Sequence, residues 1–320
     1  MIELWKDKNV VVTGAMGFIG SHLCKALYRA GARVTGVDRA PDITRTFKAL
    51  GLEHQVPIVT ASLGPDTKYL PDFDVIFHVA GMVSVAGCAS RPDFAVYDNV
   101  LATAAVLNAV RGKRSKGAVG IFASSDRVYG VGSVPHLEVD ALAPVDVYGA
   151  TKAAGDILVS QAAREGHIVA SLRHVNAYGP ADMHYDHLIT GTVRSILLGE
   201  SPVIRSDGSP VKGYLYIDDV VNAYLYLGSR AMINPKGFLP AYNAAPQEVH
   251  SVKEIVETAC LVGDWKDGYR ITHEDLSQTG YVEILASNPI RHLGWKPVYT
   301  IVDGLNRTFD WYNRNRELWP

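Results

Sequence analysis

Short runs of apolar, mostly β-branched residues alternate along the first half of the chain with longer segments whose apolar positions repeat at helical spacing. The short runs predict buried strands, and the longer segments predict helices that pack one face against them. Proline, aspartate or glycine stands at the ends of the helical segments, as is typical of helix termini. The predicted strands cover residues 9–14, 32–38, 57–63, 74–81, 119–125 and 168–179, and the predicted helices cover residues 18–31, 92–111 and 146–165.

This alternation predicts a fold class. Strands that are apolar almost throughout, with helices between them, indicate a parallel sheet covered on both faces. Right-handed crossovers then give a doubly wound α/β fold of the Rossmann type. The pattern loosens after residue 179, where short segments mix with turns. We therefore expect a first domain over residues 1–179 and a smaller C-terminal lobe over 180–320, with the unit at 214–231 folding back onto the first domain.

The overall composition argues against several classes of protein. A net charge of -2 over 320 residues provides no field that would hold nucleic acid or an anionic membrane. Three widely separated cysteines, Cys24, Cys88 and Cys260, give neither a metal spacing nor a disulfide framework, which favours a reducing compartment. The charged N-terminus does not resemble a signal peptide, and no apolar run is long enough to span a membrane. We expect a cytoplasmic protein without nucleic-acid or membrane partners.

A glycine-rich loop follows the first predicted strand. Gly14 allows a tight turn, Gly17 allows close approach of a pyrophosphate, and Gly20 allows close helix packing. The second strand ends at Asp38, which is suited to binding the ribose hydroxyls of NAD. Arg39 leaves two alternatives, contact with the 2′-phosphate of NADP or stacking on adenine. The loop and Asp38 together predict NAD as the cofactor.

A second constellation suggests hydride chemistry. Tyr148 and Lys152 are four residues apart at the start of a helix and therefore face the same side. The lysine can lower the pKa of the phenol, so that Tyr148 acts as a base on a substrate alcohol. Ser125, at the end of a strand, can hydrogen-bond the same oxygen. Without the glycine loop, the tyrosine and lysine would be equally typical of a helix surface.

These motifs carry a family resemblance. The chain resembles the extended short-chain dehydrogenase/reductases, specifically the nucleotide-sugar epimerases and dehydratases, in TGAMGFIG, FHVAG, SSDRVYG, YGATK and NAYGP. The resemblance reaches HLGWKP at residues 292–297. It implies tightly bound NAD, a C-terminal lobe that binds a nucleoside-diphosphate sugar, and a homodimer formed through helices 92–111 and 147–165.

The resemblance also assigns roles to individual positions. For the cofactor, it implies contacts from Gly14, Gly17, Phe18, Ile19, Gly20, Asp38, Arg39, Ala80, Gly81, Asn99, Tyr148 and Lys152. For the substrate, it implies contacts from Ser84, Ser125, Asn176, Arg205 and Lys212. No metal is expected, because His184 and His187 are more typical of a pair of loop histidines than of a metal site.

Asp126 and Arg127, directly after Ser125, bear on the reaction. Epimerases of the family usually carry small or neutral residues there, dTDP-glucose 4,6-dehydratases carry Asp-Glu, and CDP-glucose 4,6-dehydratases carry Asp-Lys. The chain is nearest to the last type, which predicts a 4,6-dehydratase. Asp126 would protonate the departing C6 hydroxyl, and Arg127 would stabilise the enolate.

Arg127 is always charged and makes a poor base, so the group that removes the C5 proton stays open. Three alternatives to the dehydratase remain. The Asp-Arg pair can simply order its loop, the enzyme can be a C4-epimerase or reductase that uses Ser125, Tyr148 and Lys152 alone, or the chain can be a non-catalytic NAD sensor.

Overall fold

The computed structural model describes residues 2–67, 70–113, 117–275 and 280–319. Its strands are β1 (Asn9–Thr13), β2 (Arg33–Asp38), β3 (Ile58–Thr60), β4 (Val75–His78), β5 (Val119–Ser125), β6 (Ile168–His174), β7 (Asn176–Tyr178), β8 (Val203–Ile204), β9 (Val211–Lys212), β10 (Tyr214–Tyr216), β11 (Ala241–Ala244), β12 (His250–Ser251), β13 (Arg270–Ile271) and β14 (Val282–Glu283). Its α-helices are α1 (Ile2–Trp5), α2 (Phe18–Arg29), α3 (Arg45–Ala49), α4 (Val85–Ser90), α5 (Pro92–Val96), α6 (Ala102–Gly112), α7 (Val147–Arg164), α8 (Leu188–Leu198), α9 (Ile217–Ile233), α10 (Val252–Val262), α11 (Asn288–Leu293) and α12 (Ile301–Arg314).

A seven-stranded sheet forms the centre of the molecule, in the order β11-β6-β5-β4-β1-β2-β3. All of its pairings are parallel. Buried apolar side chains lie on both faces of the sheet, against α2 and α9 on one face and α6 and α7 on the other. The predicted doubly wound Rossmann sheet is therefore confirmed. Strand β11, at the edge next to β6, was not among the predicted strands.

Two predicted elements are divided in the structure. The helix expected over residues 92–111 runs from Pro92 to Gly112, but its middle turn, Tyr97–Leu101, is a π-helix. The strand expected over residues 168–179 is divided between β6, which joins the central sheet, and β7, which pairs with β10 outside it. A π-turn and a strand that changes sheets both leave the apolar pattern of a sequence almost unchanged.

Most elements after residue 179 lie outside the central sheet. Strand β9 pairs with β12 and β14, and β8 pairs with β13. Helix α9 packs against α2 and β5, and Gly228 lets it approach the rings of Trp5 and Phe77. The division into two domains at residue 179 stays a prediction, since β11 comes from beyond that point and completes the first sheet. Among the described helices, none has both the length and the apolar character needed to cross a membrane.

Candidate active site

The glycine loop lies between β1 and α2, and the structure explains the absence of a side chain differently at each of its three glycines. Gly14 has φ +65°, and a Cβ there would lie 2.7 Å from the Cα of Ala80. A Cβ on Gly20 would lie 2.0 Å from the carbonyl oxygen of Gly14. A Cβ on Gly17 would meet only that same oxygen, at 3.3 Å. Gly14 and Gly20 are therefore required by packing, whereas Gly17 keeps an open approach to the backbone of the loop.

The start of α2 supplies donors at this loop. The first hydrogen bond of the helix runs from the amide of Ser21 to the carbonyl oxygen of Gly17, at 2.9 Å. The amides of Phe18, Ile19 and Gly20 precede it, and amides in these positions are the ones that helices use to bind anions. The loop and the helix end fit the pyrophosphate of a dinucleotide.

Asp38 and Arg39 follow β2 at the edge of the same loop. The carboxylate of Asp38 accepts hydrogen bonds from the amides of Met16, at 2.9 Å, and Ala40, at 3.1 Å. Arg39 donates from Nη1 to Oδ2 of Asp98 at 2.6 Å. Both alternatives considered for Arg39 omitted this partner, which the π-turn of Tyr97–Leu101 presents. The position of Asp38 fits a ribose, and the Asp98 pair neutralises the charge that a 2′-phosphate would need.

The loop after β4 forms the next part of the site. Asn99 accepts from the amide of Met82 at 2.8 Å, and it donates to the Met82 carbonyl and to Oγ1 of Thr151. A Cβ on Gly81 would lie 2.5 Å from Oδ1 of Asn99 and 3.3 Å from Nζ of Lys152. Gly81, Asn99 and Lys152 are therefore close neighbours, and the π-turn brings Asn99 to this point.

Ser125, Tyr148 and Lys152 meet at the carboxyl end of β5. Burial raises the pKa of the Tyr148 phenol, and a hydrogen bond with Ser125 opposes this effect. Lys152 donates from Nζ to the carbonyl of Ala123 at 3.1 Å, and burial lowers the pKa of its ammonium to about 8. The sequence predicted that Lys152 lowers the pKa of Tyr148. In the structure, Ser125 and the charge of Arg127 oppose the effect of burial instead, because the ammonium is turned toward Ala123.

Asp126 is buried and its two carboxylate oxygens differ. Oδ1 accepts from the hydroxyl of Ser125 at 2.7 Å and from the amide of Arg127 at 3.0 Å. Oδ2 is buried and has no hydrogen-bond partner among the described residues. A buried acceptor without a partner is costly in an ordinary loop and is typical of a site that awaits a ligand. Oδ2 is therefore the atom of Asp126 that is open to a further hydrogen-bond partner.

The side chain of Arg127 points to Asp146 rather than to its neighbour. Nη1 of Arg127 donates to Oδ2 of Asp146 at 2.8 Å, and both side chains are mostly buried. Asp146 also caps α7, since its Oδ1 accepts from the amide of Gly149 at 2.7 Å. The ion pair thus joins the loop after β5 to the start of the helix that carries Tyr148.

A buried ion pair supports this arrangement from the core side. Arg173 on β6 binds Asp156 on α7 through two hydrogen bonds, of 2.8 and 3.0 Å. Ser124 donates to the same carboxylate at 2.8 Å, and Arg173 also donates to the hydroxyl of Tyr129 at 2.7 Å. The pair fixes the end of β5 relative to α7, which positions Ser125.

The substrate-binding residues predicted from the sequence lie in three places. Ser84 caps α4 by accepting from the amide of Gly87 at 3.1 Å, and Arg205 donates to the carbonyl of Asp186 at 3.0 Å. Asn176 pairs in register with Tyr214 across β7 and β10, and it donates to the carbonyl of Gly213 at 3.3 Å. The structure brings Asn176 next to the segment that carries Lys212. The described hydrogen bonds of Ser84 and Arg205 do not connect either residue to that segment.

Glu283 is a residue that the sequence reasoning missed. It lies on β14, is 2% exposed, and stands opposite Lys212 in the parallel pairing with β9. Its Oε1 accepts from the hydroxyl of Tyr281 at 3.0 Å. Burial and the charge of Asp126 raise the pKa of Glu283 to about 8, against the opposing charges of Arg127 and Lys212. In the sequence, the single glutamate within YVEILA gives no sign that Glu283 is buried near Asp126, Arg127 and Lys212.

Asp182, His184 and His187 offer three ligand atoms within 4.8 Å of one another. Each histidine donates or accepts at Nδ1 with the buried carboxylate of Asp182, at 2.9 and 2.8 Å. The hydroxyl of Thr190 donates to the same carboxylate at 2.9 Å. These bonds satisfy Asp182 and organise the turn before α8, so the cluster has a structural explanation.

Comparison with known proteins links this site to one family. The family model described as "NAD dependent epimerase/dehydratase family" matches residues 10–244. A trifunctional UDP-glucose 4,6-dehydratase/UDP-4-keto-6-deoxy-D-glucose 3,5-epimerase/UDP-4-keto-L-rhamnose-reductase of Arabidopsis thaliana is 27% identical over 335 residues, covering 98% of this chain and 48% of that protein. The chain thus spans about half the length of the first curated relatives that it matches.

Epimerases are also similar to the chain. The UDP-glucose 4-epimerase of Mycolicibacterium smegmatis is 29% identical over 323 residues, covering 96% of this chain and 99% of that protein. Among solved structures, the UDP-N-acetylglucosamine 4-epimerase of Methanobrevibacter ruminantium M1, in complex with UDP-N-acetylmuramic acid, aligns with a TM-score of 0.84 at 26% identity, covering 97% of this chain and 99% of that one.

Proposed function

The chain belongs to the NAD-dependent epimerase/dehydratase family, and from that premise we propose that it is a nucleoside-diphosphate-sugar 4,6-dehydratase. The observation that carries this proposal is the carboxylate of Asp126, buried directly after Ser125 with Oδ2 free of any partner among the described residues. A C4-epimerase needs a base for one hydroxyl and no second proton-transfer group beside it. Elimination of water needs such a group.

NAD is the cofactor of this family, and the residues present fit it. The open backbone at Gly17 and the amides of Phe18 and Ile19 would hold the pyrophosphate, and Asp38 would hold the adenosine ribose. Ala80, Gly81 and Asn99 would line the path toward Lys152, and Arg39, held by Asp98, would cover the adenosine end. Bound in this way, NAD would supply the hydride acceptor for C4 of the sugar and, once reduced, the hydride for C6.

The residues at the end of β5 and the start of α7 handle the proton at C4. Tyr148 takes the proton of the C4 hydroxyl. Ser125 binds the C4 oxygen through its own hydroxyl, which contacts the phenol of Tyr148 in the structure. Because burial raises the pKa of Tyr148, its anionic form depends on the hydrogen bond with Ser125 and on the positive charge of Arg127.

Asp126 and Arg127 serve the elimination. A carbonyl at C4 acidifies the C5 proton, so loss of that proton and of the C6 hydroxyl requires proton transfer at two adjacent carbons. Asp126 exchanges a proton with the sugar through Oδ2, and the charge of Arg127 stabilises the enolate. Fixing Arg127 on Asp146 keeps this charge in place during the reaction.

A nucleoside-diphosphate sugar is the proposed substrate. Lys212 provides positive charge for the diphosphate, Asn176 lies beside it, and Ser84 and Arg205 provide polar contacts at the sugar and nucleotide ends. UDP-sugar enzymes among the relatives support this substrate class. Substrate trials should include the glucose derivatives of CDP, UDP and dTDP.

Incubation of the purified protein with this panel, followed by mass spectrometry, tests the proposal. A product that has lost one water supports the dehydratase. A product of equal mass supports the second candidate, a C4-epimerase, which the similarity to two 4-epimerases favours. Binding of NAD without turnover of any sugar would support a sensor instead.

A homodimer is also proposed. Helices α5 and α7 expose apolar side chains side by side, including Phe94, which is 48% exposed, and Ile157, which is 58% exposed. Neighbouring exposed apolar residues on a helix pair are typical of a subunit interface. Light scattering should give a dimer for the wild type and a monomer for Ile157→Glu, and a wild-type monomer would refute this interface.

A further inference from the structure

Two buried carboxyl groups, Asp126 and Glu283, lie near the same two cations, Arg127 and Lys212. Asp126 follows β5, and Glu283 comes from β14 in the C-terminal half of the chain. They are 4% and 2% exposed, and the charge of Asp126 raises the pKa of Glu283. Three contacts join their segments: the amide of Tyr129 donates to the carbonyl of Asp126, the ring of Tyr129 stacks on His136, and the amide of His136 donates to the carbonyl of Ile284.

The cations nearby leave the pair only partly neutralised. Arg127 directs its guanidinium to Asp146. Burial and the charge of Arg127 lower the pKa of Lys212, the residue opposite Glu283. Two carboxylates close together in a low-dielectric site cannot both stay charged at low cost, so such a pair retains a proton.

The surroundings of the two groups indicate which one holds that proton. Asp126 accepts at Oδ1 from the Ser125 hydroxyl and from a backbone amide, and its Oδ2 has no hydrogen-bond partner among the described residues. Among the same residues, Glu283 accepts one bond, from the phenol of Tyr281. Burial and the charge of Asp126 raise the pKa of Glu283, so the proton is expected there.

We propose that Asp126 and Glu283 form the acid–base pair of the elimination, with Asp126 as the base for the C5 proton and Glu283 as the acid for the C6 oxygen. This assignment rests on the proposed dehydratase function. It reverses the role that the sequence suggested for Asp126, and it supplies the second group that Arg127 cannot be.

The proton and electron balance is complete. Asp126 Oδ2 takes the C5 proton, the C5–H electrons form the C5–C6 double bond, and the C6–O bond breaks as Glu283 protonates the departing oxygen to give water. The proton on Asp126 exchanges with solvent, and Asp126 then protonates C5 as hydride reaches C6. The proton that Tyr148 took from the C4 hydroxyl restores neutral Glu283 through the solvent.

Deuterium exchange in D2O separates the two roles. With the substrate found by the panel, Glu283→Gln should lower the rate of water loss more than a hundredfold and still place deuterium at C5 of the recovered sugar. Asp126→Asn should abolish both water loss and deuterium exchange at C5. Glu200→Gln, at an exposed position, should behave as the wild type. If Glu283→Gln dehydrates at the wild-type rate, or if it blocks C5 exchange, the assignment is wrong.

A measurement independent of turnover checks the resting proton. Infrared difference spectra of the wild type should show a carboxylic acid band that disappears with a midpoint near pH 8, and this band should be missing in Glu283→Gln. The groups that face Glu283, and that must be considered in assigning the band, are Asp126, Arg127, Lys212, Tyr214 and Tyr281. Absence of such a band in the wild type overturns the assignment. If the wild type instead yields an isomer of equal mass, the proposed function fails, whatever the spectra show.

Discussion

Arg127 donates from Nη1 to Oδ2 of Asp146 at 2.8 Å, and Asp146 caps the helix that carries Tyr148 and Lys152. Although Asp126 and Arg127 are adjacent in sequence, the side-chain ion pair of Arg127 is made with a residue nineteen positions later. The proposed dehydration residues and the proposed hydride-transfer residues are therefore held in one rigid unit. A change at Asp146 should affect both.

Asp146→Ala tests this coupling. The variant loses the helix cap, worth about 0.5–2 kcal/mol, and leaves the mostly buried guanidinium of Arg127 without its partner. We expect lower thermal stability and a lower kcat. Adding Arg127→Met to Asp146→Ala should lower kcat by less than Arg127→Met alone does in the wild type, because the shared interaction is already gone. Strictly additive effects of the two changes would contradict the coupling.

Tyr148→Phe tests the proposed base for the C4 hydroxyl. It removes one hydroxyl from a half-buried side chain, so the fold and NAD binding should persist, while kcat falls by about 10²–10⁴. Ser125→Ala should lower kcat less, since it positions the oxygen and does not accept the proton. Tyr28→Phe, at an exposed phenol on α2, serves as the control. Turnover of Tyr148→Phe at the rate of this control would refute the role of Tyr148.

Two glycine substitutions separate packing from cofactor binding. Gly20→Ala places a Cβ 2.0 Å from a backbone oxygen, so it should lower the melting temperature strongly. Gly17→Ala meets one atom at 3.3 Å, so the apoprotein should melt near the wild-type temperature while its NAD affinity falls. Calorimetric titration with NAD and thermal melting measure the two effects. Equal NAD affinity in Gly17→Ala and the wild type would contradict the binding path over this loop.

Asp156→Asn tests the buried ion pair behind the site. It leaves Arg173, which is 4% exposed, without a counter-charge, and breaking such a pair costs about 3–5 kcal/mol. The control is Glu165→Gln, at the C-terminal end of α7. It removes the exposed ion-pair partner of Arg111, so this variant should melt close to the wild-type temperature. Similar melting temperatures for both variants would show that the Asp156–Arg173 pair does not stabilise the fold.

The sheet and the glycine loop could be predicted because both follow from local pattern. Apolar runs and the spacing of Gly14, Gly17 and Gly20 are visible in the sequence. Strand β11 was missed because it is short and pairs with β6, whose residues lie about seventy positions earlier in the chain. A cofactor contact from Asn99 is implied by the family resemblance and stays a prediction, but the π-turn that carries Asn99 inward could not be predicted.

The electrostatic details of the site could not be predicted, since they depend on contacts between distant segments. Arg39 binds Asp98, and Arg127 binds Asp146, both across loops whose path the sequence does not reveal. Glu283 reaches the surroundings of Asp126 only because β14 pairs with β9. Charged residues that look solvated in a sequence can be paired or buried by the tertiary fold, as these three are.

The reaction in D2O with the nucleoside-diphosphate glucose that the panel identifies tests the central claim most directly. A 4,6-dehydratase should give a 4-keto-6-deoxy sugar that has lost one water and carries solvent deuterium at C5, as read by mass spectrometry and proton NMR. A product of unchanged mass, inverted at C4 and without deuterium at C5, would contradict the account and identify the enzyme as an epimerase.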